Sequence, residues 1–119
     1  MNSACPIHDV LDRISGKWDV YLLTVLEGRP RRFGELRRVF PDLSQRMLTQ
    51  TLRDLQRDGY VHREVLPTNP PSVEYSLTPL GVSLSKRVRV LVEWAGINHP
   101  AVHAARAAFD SVQTELARA

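Results

Sequence analysis

Six side chains between positions 45 and 57 carry groups that read or hold nucleic acid: Gln45, Arg46, Thr49, Gln50, Arg53 and Arg57. An arginine can donate two hydrogen bonds to guanine, a glutamine amide can pair with adenine, and a threonine methyl can meet the methyl of thymine. On a helical wheel Arg46, Thr49, Gln50, Arg53 and Arg57 span about 100°, opposite Leu48, Leu52 and Leu55, which fall within about 60° of one another. None of the five is acidic, and Asp54 and Asp58 lie off the centre of that face or at its far end. A face built only for solubility would mix in Glu and Lys. The alternative to a base-reading helix is a plain solvated surface. The N-terminal residues of such a helix enter a major groove deepest, so Gln45, Arg46, Thr49 and Gln50 are the base-reading candidates. Arg53 and Arg57 suit phosphates equally well. Arg31, Arg32, Arg37 and Arg38 flank the preceding helix and suit the sugar-phosphate backbone, which positions a protein without reading sequence.

A second kind of chemistry is thiol chemistry at Cys5, the only cysteine in the chain. It immediately precedes Pro6, at or next to the cap of a first helix, where unpaired N–H groups and the helix dipole favour the reactive thiolate. The bland alternative is an exposed, unused thiol near the terminus. A single cysteine rules out an intrachain disulfide and a cysteine-based zinc site. His99 and His103 are spaced like a helical metal pair, but Pro100 puts His99 at a helix boundary. The two are then not expected to share a face, no third ligand is evident, and no metal is expected. Trp18, Tyr21 and Trp94 could line a small-molecule pocket, although aromatic residues at helical spacing are more often simply core.

An enzyme is hard to assemble from this sequence. The four histidines are scattered, and no Gly-rich phosphate loop, nucleophile elbow or cofactor motif appears, so no cofactor is expected. A redox enzyme working through Cys5 would lack a resolving cysteine and a paired base.

Bulk composition agrees with a binding protein. The 119 residues suit one domain, and 43% hydrophobic with 24% charged residues is ordinary for a folded soluble protein. No apolar run is long enough to span a membrane. Asp9 and Asp12 fall where the apolar run of a signal peptide would be, so a cytoplasmic location is expected. The net charge of +3 hides an asymmetry: Arg29 to Arg63 contains nine arginines against four acids, a local balance of +5, and the rest sums to −2. A basic block in an otherwise near-neutral domain is the footprint of a nucleic-acid binder.

The elements that must position these groups follow from periodicity. Ile7, Val10, Leu11 and Ile14 predict a short amphipathic helix over 6–15, with Pro6 at its first position. Trp18, Leu22, Val25 and Leu26 mark a second helix ending near Gly28 and Pro30. Phe33, Leu36 and Phe40 mark a short third one, stopped by Pro41. Ser44 and Gly59 bound the clearest helix, as N-cap and C-terminal residue. Tyr60–Leu66 and Val73–Thr78 read as strands joined by a stiff turn over 67–72.

A helix over roughly 79–95 carries Leu80, Leu84, Val88, Leu91 and Val92. A last helix begins at His99-Pro100. Its Val102, Ala105, Phe109, Val112 and Leu116 are spaced 3, 4, 3, 4, a heptad-type seam too short to be stable alone. That seam could pack on its own domain or on a second subunit. The dimer is favoured, because a terminal helix finds few intrachain surfaces in so small a domain. The order helix–turn–helix then β-hairpin predicts a mainly α, winged helix-turn-helix fold.

The residues Gly16-Lys17-Trp18, Arg32-Phe33-Gly34-Glu35-Leu36-Arg37-Arg38 and Leu43-Ser44-Gln45-Arg46-Met47-Leu48-Thr49-Gln50 form an ordered series. It continues through Leu52-Arg53-Asp54-Leu55 and Asp58-Gly59 to Val73-Glu74-Tyr75-Ser76-Leu77-Thr78-Pro79-Leu80-Gly81. Over roughly residues 5–94 the chain resembles the HxlR-type family of bacterial winged-helix transcriptional regulators, relatives in architecture of the MarR group. The resemblance implies one domain over 1–119, with a core of about 16–95 and dimerisation elements at about 5–15 and 96–119. It implies a homodimer on double-stranded DNA, with 44–57 in the major groove and the hairpin as a wing beside the minor groove. Both repressors and activators look like this; a repressor is the expectation taken here. Several regulators similar to this chain carry a cysteine matching Cys5, used to sense oxidants or electrophiles, which implies such a molecule as effector. The wing tip departs from a basic pattern: Thr68 to Ser72 contains no Arg or Lys, so Asn69 or Arg63 would have to substitute. The competing readings are a winged-helix protein-interaction module without DNA binding, and a regulator controlled by a small-molecule ligand.

Overall fold

The structure is a computed structural model that describes residues 5–118. Its elements in chain order are α1 (Pro6–Ile14), α2 (Lys17–Leu26), β1 (Arg31–Arg32), α3 (Phe33–Val39), α4 (Gln45–Arg57), β2 (Val61–Leu66), β3 (Ser72–Leu77) and α5 (Pro79–Arg118). Compact packing divides the chain into two units, one ending at Val88 and one beginning at Arg89.

The first unit is a winged helix-turn-helix. Its core is an aliphatic cluster in which Leu22, Leu23, Leu36, Leu48 and Leu52 are fully buried, closed by Leu26, Leu43, Leu55, Tyr60, Val61, Tyr75 and Val88. The helices meet because each contributes one apolar stripe. α2 supplies Leu22, Leu23 and Leu26, α3 supplies Leu36, and α4 supplies the leucines expected from its wheel together with Thr51. Thr51 is buried at no cost in unpaired polar groups, because its hydroxyl donates to the Met47 carbonyl at 2.8 Å. The N-terminus of α4 is capped as predicted, with Ser44 Oγ accepting the Met47 N–H at 3.1 Å. Gly59 stands just past the helix with φ 84°, the left-handed conformation that glycine adopts without strain.

β2 and β3 pair antiparallel, with Val61 opposite Leu77 and Leu66 opposite Ser72. The sheet has a third strand that periodicity does not reveal. β1 pairs with β3, Arg31 opposite Tyr75 and Arg32 opposite Glu74, in the order β1-β3-β2. Two arginines have no strand signal of their own. They become a strand only because β3 presents an open edge to them.

Thr78 joins the sheet to α5. Its N–H donates to the Tyr60 carbonyl at 3.0 Å, its hydroxyl donates to the Gly59 carbonyl, and its Oγ1 accepts the Gly81 N–H at 3.0 Å. Buried Ser85 donates to Glu27 Oε2 at 2.8 Å, tying the start of α5 to the end of α2. α1 buries only Ile14; its Ile7, Val10 and Leu11 are exposed. Trp18 packs edge-on against Tyr21 and Phe40, with ring centroids 5.7 and 5.9 Å apart. In the first unit these aromatic residues close the side of the core.

From Arg89 onward the chain is helical to Arg118, and Pro100 lies inside the helix. The expected break near His99-Pro100 is therefore absent. Pro100 lacks the N–H that would bond to the carbonyl of Gly96, a local loss of one helical hydrogen bond, and the helix continues through it. This also corrects the expectation that His99 and His103 face apart. Both are helical, one turn apart, with ring centroids 6.0 Å from each other. Among the described residues no group of three or more His, Cys, Asp or Glu is placed to hold a metal ion. In this unit Ile97, Phe109, Val112 and Leu116 are exposed, as is Trp94.

Candidate nucleic-acid interface

All six sequence-identified residues of α4 are exposed: Gln45, Arg46, Thr49, Gln50, Arg53 and Arg57. Two of the glutamine amides are not free to rotate. Arg37 Nη1, from α3, donates to Gln45 Oε1 at 2.8 Å. Gln50 Nε2 donates to Asp54 Oδ1 at 2.9 Å, one helical turn along α4. Asp54, placed off the centre of the face by the wheel, thus lines a shallow groove with Gln50, Arg53, Gln56 and Arg57. The i, i+4 spacing of Gln50 and Asp54 was visible in the sequence; what it holds in place was not.

The hairpin adds a further cation. Arg63 on β2 lies with Thr49, Arg53, Gln56 and Tyr75 around a second groove, so a strand residue joins the surface that α4 presents. Arg32 and Arg38 are exposed and line a groove with Phe33, Ser72 and Val73, where α3 approaches the wing. Arg37 and Arg38 face a neighbouring groove beside Pro41. The three arginines therefore surround the short helix that precedes α4.

Arg31 stands apart from this group. It is half-buried, and its guanidinium lies 3.8 Å from Glu35. The same carboxylate takes a hydrogen bond from Arg29 at 2.8 Å and from the Arg32 N–H at 3.3 Å. The Arg29 guanidinium, with the Arg32 N–H, holds the Glu35 carboxyl down at about 2 from an ordinary value of 4.5. A carboxyl held low in the folded state contributes stability above its unfolded value, and that contribution is lost as pH falls through the folded one. The stability lost on Glu35→Gln should accordingly be full at neutral pH, shrink below about 4.5 and vanish near about 2. Urea denaturation of both proteins across that window checks this, and a difference that does not change with pH would refute it. A second acid behaves oppositely: burial pushes the Asp19 carboxyl up, with repulsion from Asp54 and Asp58 adding to it.

Cys5 is the half-buried N-cap residue of α1. Its carbonyl accepts the Asp9 N–H at 3.0 Å, and its side chain caps no backbone group. The expected helix-cap position is thus the observed one.

With this geometry described, the relatives of the chain can be stated. Residues 13–102 match the family model described as HxlR-like helix-turn-helix. The HTH-type transcriptional regulator YtfH of Escherichia coli K12 is 42% identical over 102 residues, covering 86% of this chain and 81% of the relative. Among solved structures, the redox regulator HypR in its reduced form is 43% identical, covers 84% of this chain and 99% of that one, and superposes with a TM-score of 0.79. Its oxidized form gives 47% identity, 79% and 97% coverage and a TM-score of 0.73. The reduced form of the transcriptional regulator YodB from Bacillus subtilis is 33% identical, with 76% and 90% coverage and a TM-score of 0.69. The diamide-treated form of YodB is 31% identical, with 80% and 95% coverage and a TM-score of 0.68. The chain belongs to the HxlR-like helix-turn-helix family and is a transcriptional regulator of that winged-helix type.

Proposed function

We propose that this regulator binds duplex DNA as a homodimer at an inverted repeat, acts as a cytoplasmic repressor, and is switched by oxidation or alkylation of Cys5. The observation that carries the DNA-binding part is the exposed α4 face, where Gln45, Arg46, Thr49, Gln50, Arg53 and Arg57 lie together with Arg63 of the hairpin. α4 enters the major groove and reads bases through its first two turns. Arg32, Arg37 and Arg38 hold phosphates. Arg31, tied to Glu35, contributes field rather than contact.

Dimerisation is supported separately in each unit: Ile7 and Leu11 on α1 are 68% and 54% exposed, and Ile97 and Phe109 on α5 are 78% and 63% exposed. Apolar surface of that kind is characteristic of an interface. In this reading residues 5–15 and 96–119 are the dimerisation elements of one DNA-binding domain. The symmetry of such a dimer places its half-sites about one helical turn, about 34 Å, apart or a multiple of it.

The redox part is supported by the relatives, one named a redox regulator and described in oxidized and reduced forms, another in reduced and diamide-treated forms. In this chain Cys5 is the sole thiol. Two Cys5 thiols of a dimer would give up two protons and two electrons to diamide, which becomes the hydrazine, leaving one intersubunit disulfide. Electrophiles would instead alkylate each thiolate singly.

The test is fluorescence anisotropy of the reduced protein on duplex from its own upstream intergenic region, against a scrambled duplex, repeated after diamide. Binding to the native duplex alone, lost on oxidation in the wild type but retained by Cys5→Ser, is the expected result. A folded dimer that binds no duplex would overturn the DNA-binding reading. Equal loss in Cys5→Ser would remove Cys5 as the switch.

A further inference from the structure

We propose that Arg37 and Asp54 are positioning residues that fix the amides of Gln45 and Gln50 in opposite polarity, so that the two glutamines read different base edges. The proposal rests on α4 being the base-reading helix and concerns what it reads.

A glutamine amide is ambiguous by nature. It carries a donor and an acceptor of the same shape, and rotation by half a turn exchanges them. In solution such a residue discriminates weakly, because it can satisfy either kind of base edge. Here each amide meets a partner whose chemistry leaves no choice. A guanidinium only donates, so the Gln45 atom 2.8 Å from Arg37 Nη1 is the carbonyl oxygen. A carboxylate only accepts, so the Gln50 atom 2.9 Å from Asp54 Oδ1 is the amide nitrogen. The assignment follows from the partners and would stand whichever way either amide were drawn.

The consequences are opposite at the two positions. Gln45 keeps both N–H donors of Nε2 free, and its oxygen is occupied by Arg37. It therefore suits a base edge that offers acceptors, guanine with its O6 and N7 or thymine with its O4. Gln50 keeps its oxygen free and one remaining N–H. It suits a base edge that offers a donor: adenine, where N6–H meets the oxygen and N7 takes the remaining N–H, or cytosine through N4–H. Asp54 makes no base contact in this scheme. Its acidity on an otherwise cationic surface is explained by the amide it holds, against a cost in attraction to phosphate.

The experiment is selection of half-sites from a random duplex library with full-length protein, followed by the same selection with variants. Gln50→Ala identifies the half-site position that Gln50 specifies. The wild type should prefer adenine or cytosine there by about tenfold. Asp54→Ala should flatten that one position to less than about threefold while leaving the others intact. Asp54→Glu, which can still accept from Gln50 one turn away, should restore the preference. Arg37→Ala should in the same way relax the position specified by Gln45, whose wild-type preference is guanine or thymine.

If the wild type enriches no sequence, the DNA-binding reading itself fails and takes this proposal with it. If a motif is enriched, the proposal stands or falls separately. It is overturned by guanine or thymine at the Gln50 position, or by unchanged preference in Asp54→Ala. It is also overturned if Asp54→Ala lowers preference equally at all positions, as a merely structural role would, or if Gln50→Ala changes no position.

Discussion

Gly81→Ala is expected to destabilise the protein by about 3 kcal/mol or more, an unusually large effect for the addition of one methyl group. In an ordinary helix the same exchange stabilises by about 1 kcal/mol, because alanine loses less backbone entropy than glycine. At position 81 packing decides against propensity. A Cβ there would stand 2.9 Å from the carbonyl carbon of Tyr60 and 3.2 Å from Leu77 Cδ2, and closer still to the Tyr60 carbonyl oxygen. The obstacle is backbone, and it is held in place: the Tyr60 carbonyl accepts the Thr78 N–H at 3.0 Å. Relief would require the start of α5 to lift from the strand, breaking the Thr78 bonds that join them. Gly96, also in α5, has nothing within 4 Å of an added Cβ, so Gly96→Ala should cause no loss. Urea denaturation of the two variants beside the wild type measures both effects. Equal stability of Gly81→Ala and wild type would mean that the junction yields far more easily than its hydrogen bonds imply.

The second large effect concerns salt. Arg32, Arg37, Arg38, Arg53 and Arg57 of two subunits, docked as proposed, would neutralise about six to ten phosphates, so raising salt from about 50 to about 200 mM should weaken binding about 10³- to 10⁵-fold. Arg38→Ala removes one cation from each subunit and should lower the slope of log affinity against log salt by about 2 for the dimer. The effect should be nearly the same on specific and unrelated duplexes, because a phosphate contact carries no sequence information. Arg31→Ala should change the slope far less, since Arg31 is half-buried beside Glu35. Affinity that ignores salt would remove the phosphate roles assigned to these arginines. It would also favour a protein partner for the same surface.

Much of the scaffold was legible because its signals are local. The leucines of α4 repeat at helical spacing, and Ser44 and Gly59 mark its ends by chemistry that operates within four residues. The hairpin strands were readable from β-branched and aromatic runs, and the observed strands β2 and β3 begin one residue from the expected positions. The exceptions are informative. Pro100 is ordinarily a stop, and it was read as one, yet the helix passes through it; a single missing hydrogen bond does not outweigh those on either side. That continuity put His99 and His103 on one face against expectation. Arg31 and Arg32 could not be read as a strand, because two residues carry no period and their pairing partner lies more than forty positions away.

The base-reading candidates show the same division. Residue types and wheel position, set by 3.6 residues per turn, were enough to identify the exposed face of α4. Their grouping with Arg63 was not, because it depends on where β2 folds back against the helix. Nor was the orientation of the two glutamines. Arg37 and Gln45 sit on different helices, and only the angle between α3 and α4 brings a guanidinium to one amide oxygen. By itself the amino-acid sequence determined the helix-turn-helix order, the caps, the apolar stripes and the cationic character of one face, all consequences of short-range geometry. Tertiary structure alone decided the third strand, the separation of Arg31 from the other arginines, the crowding at Gly81 and the polarity of the glutamines. Each of these depends on contacts between elements, whose strength falls off over a few ångströms and which no spacing along the chain encodes.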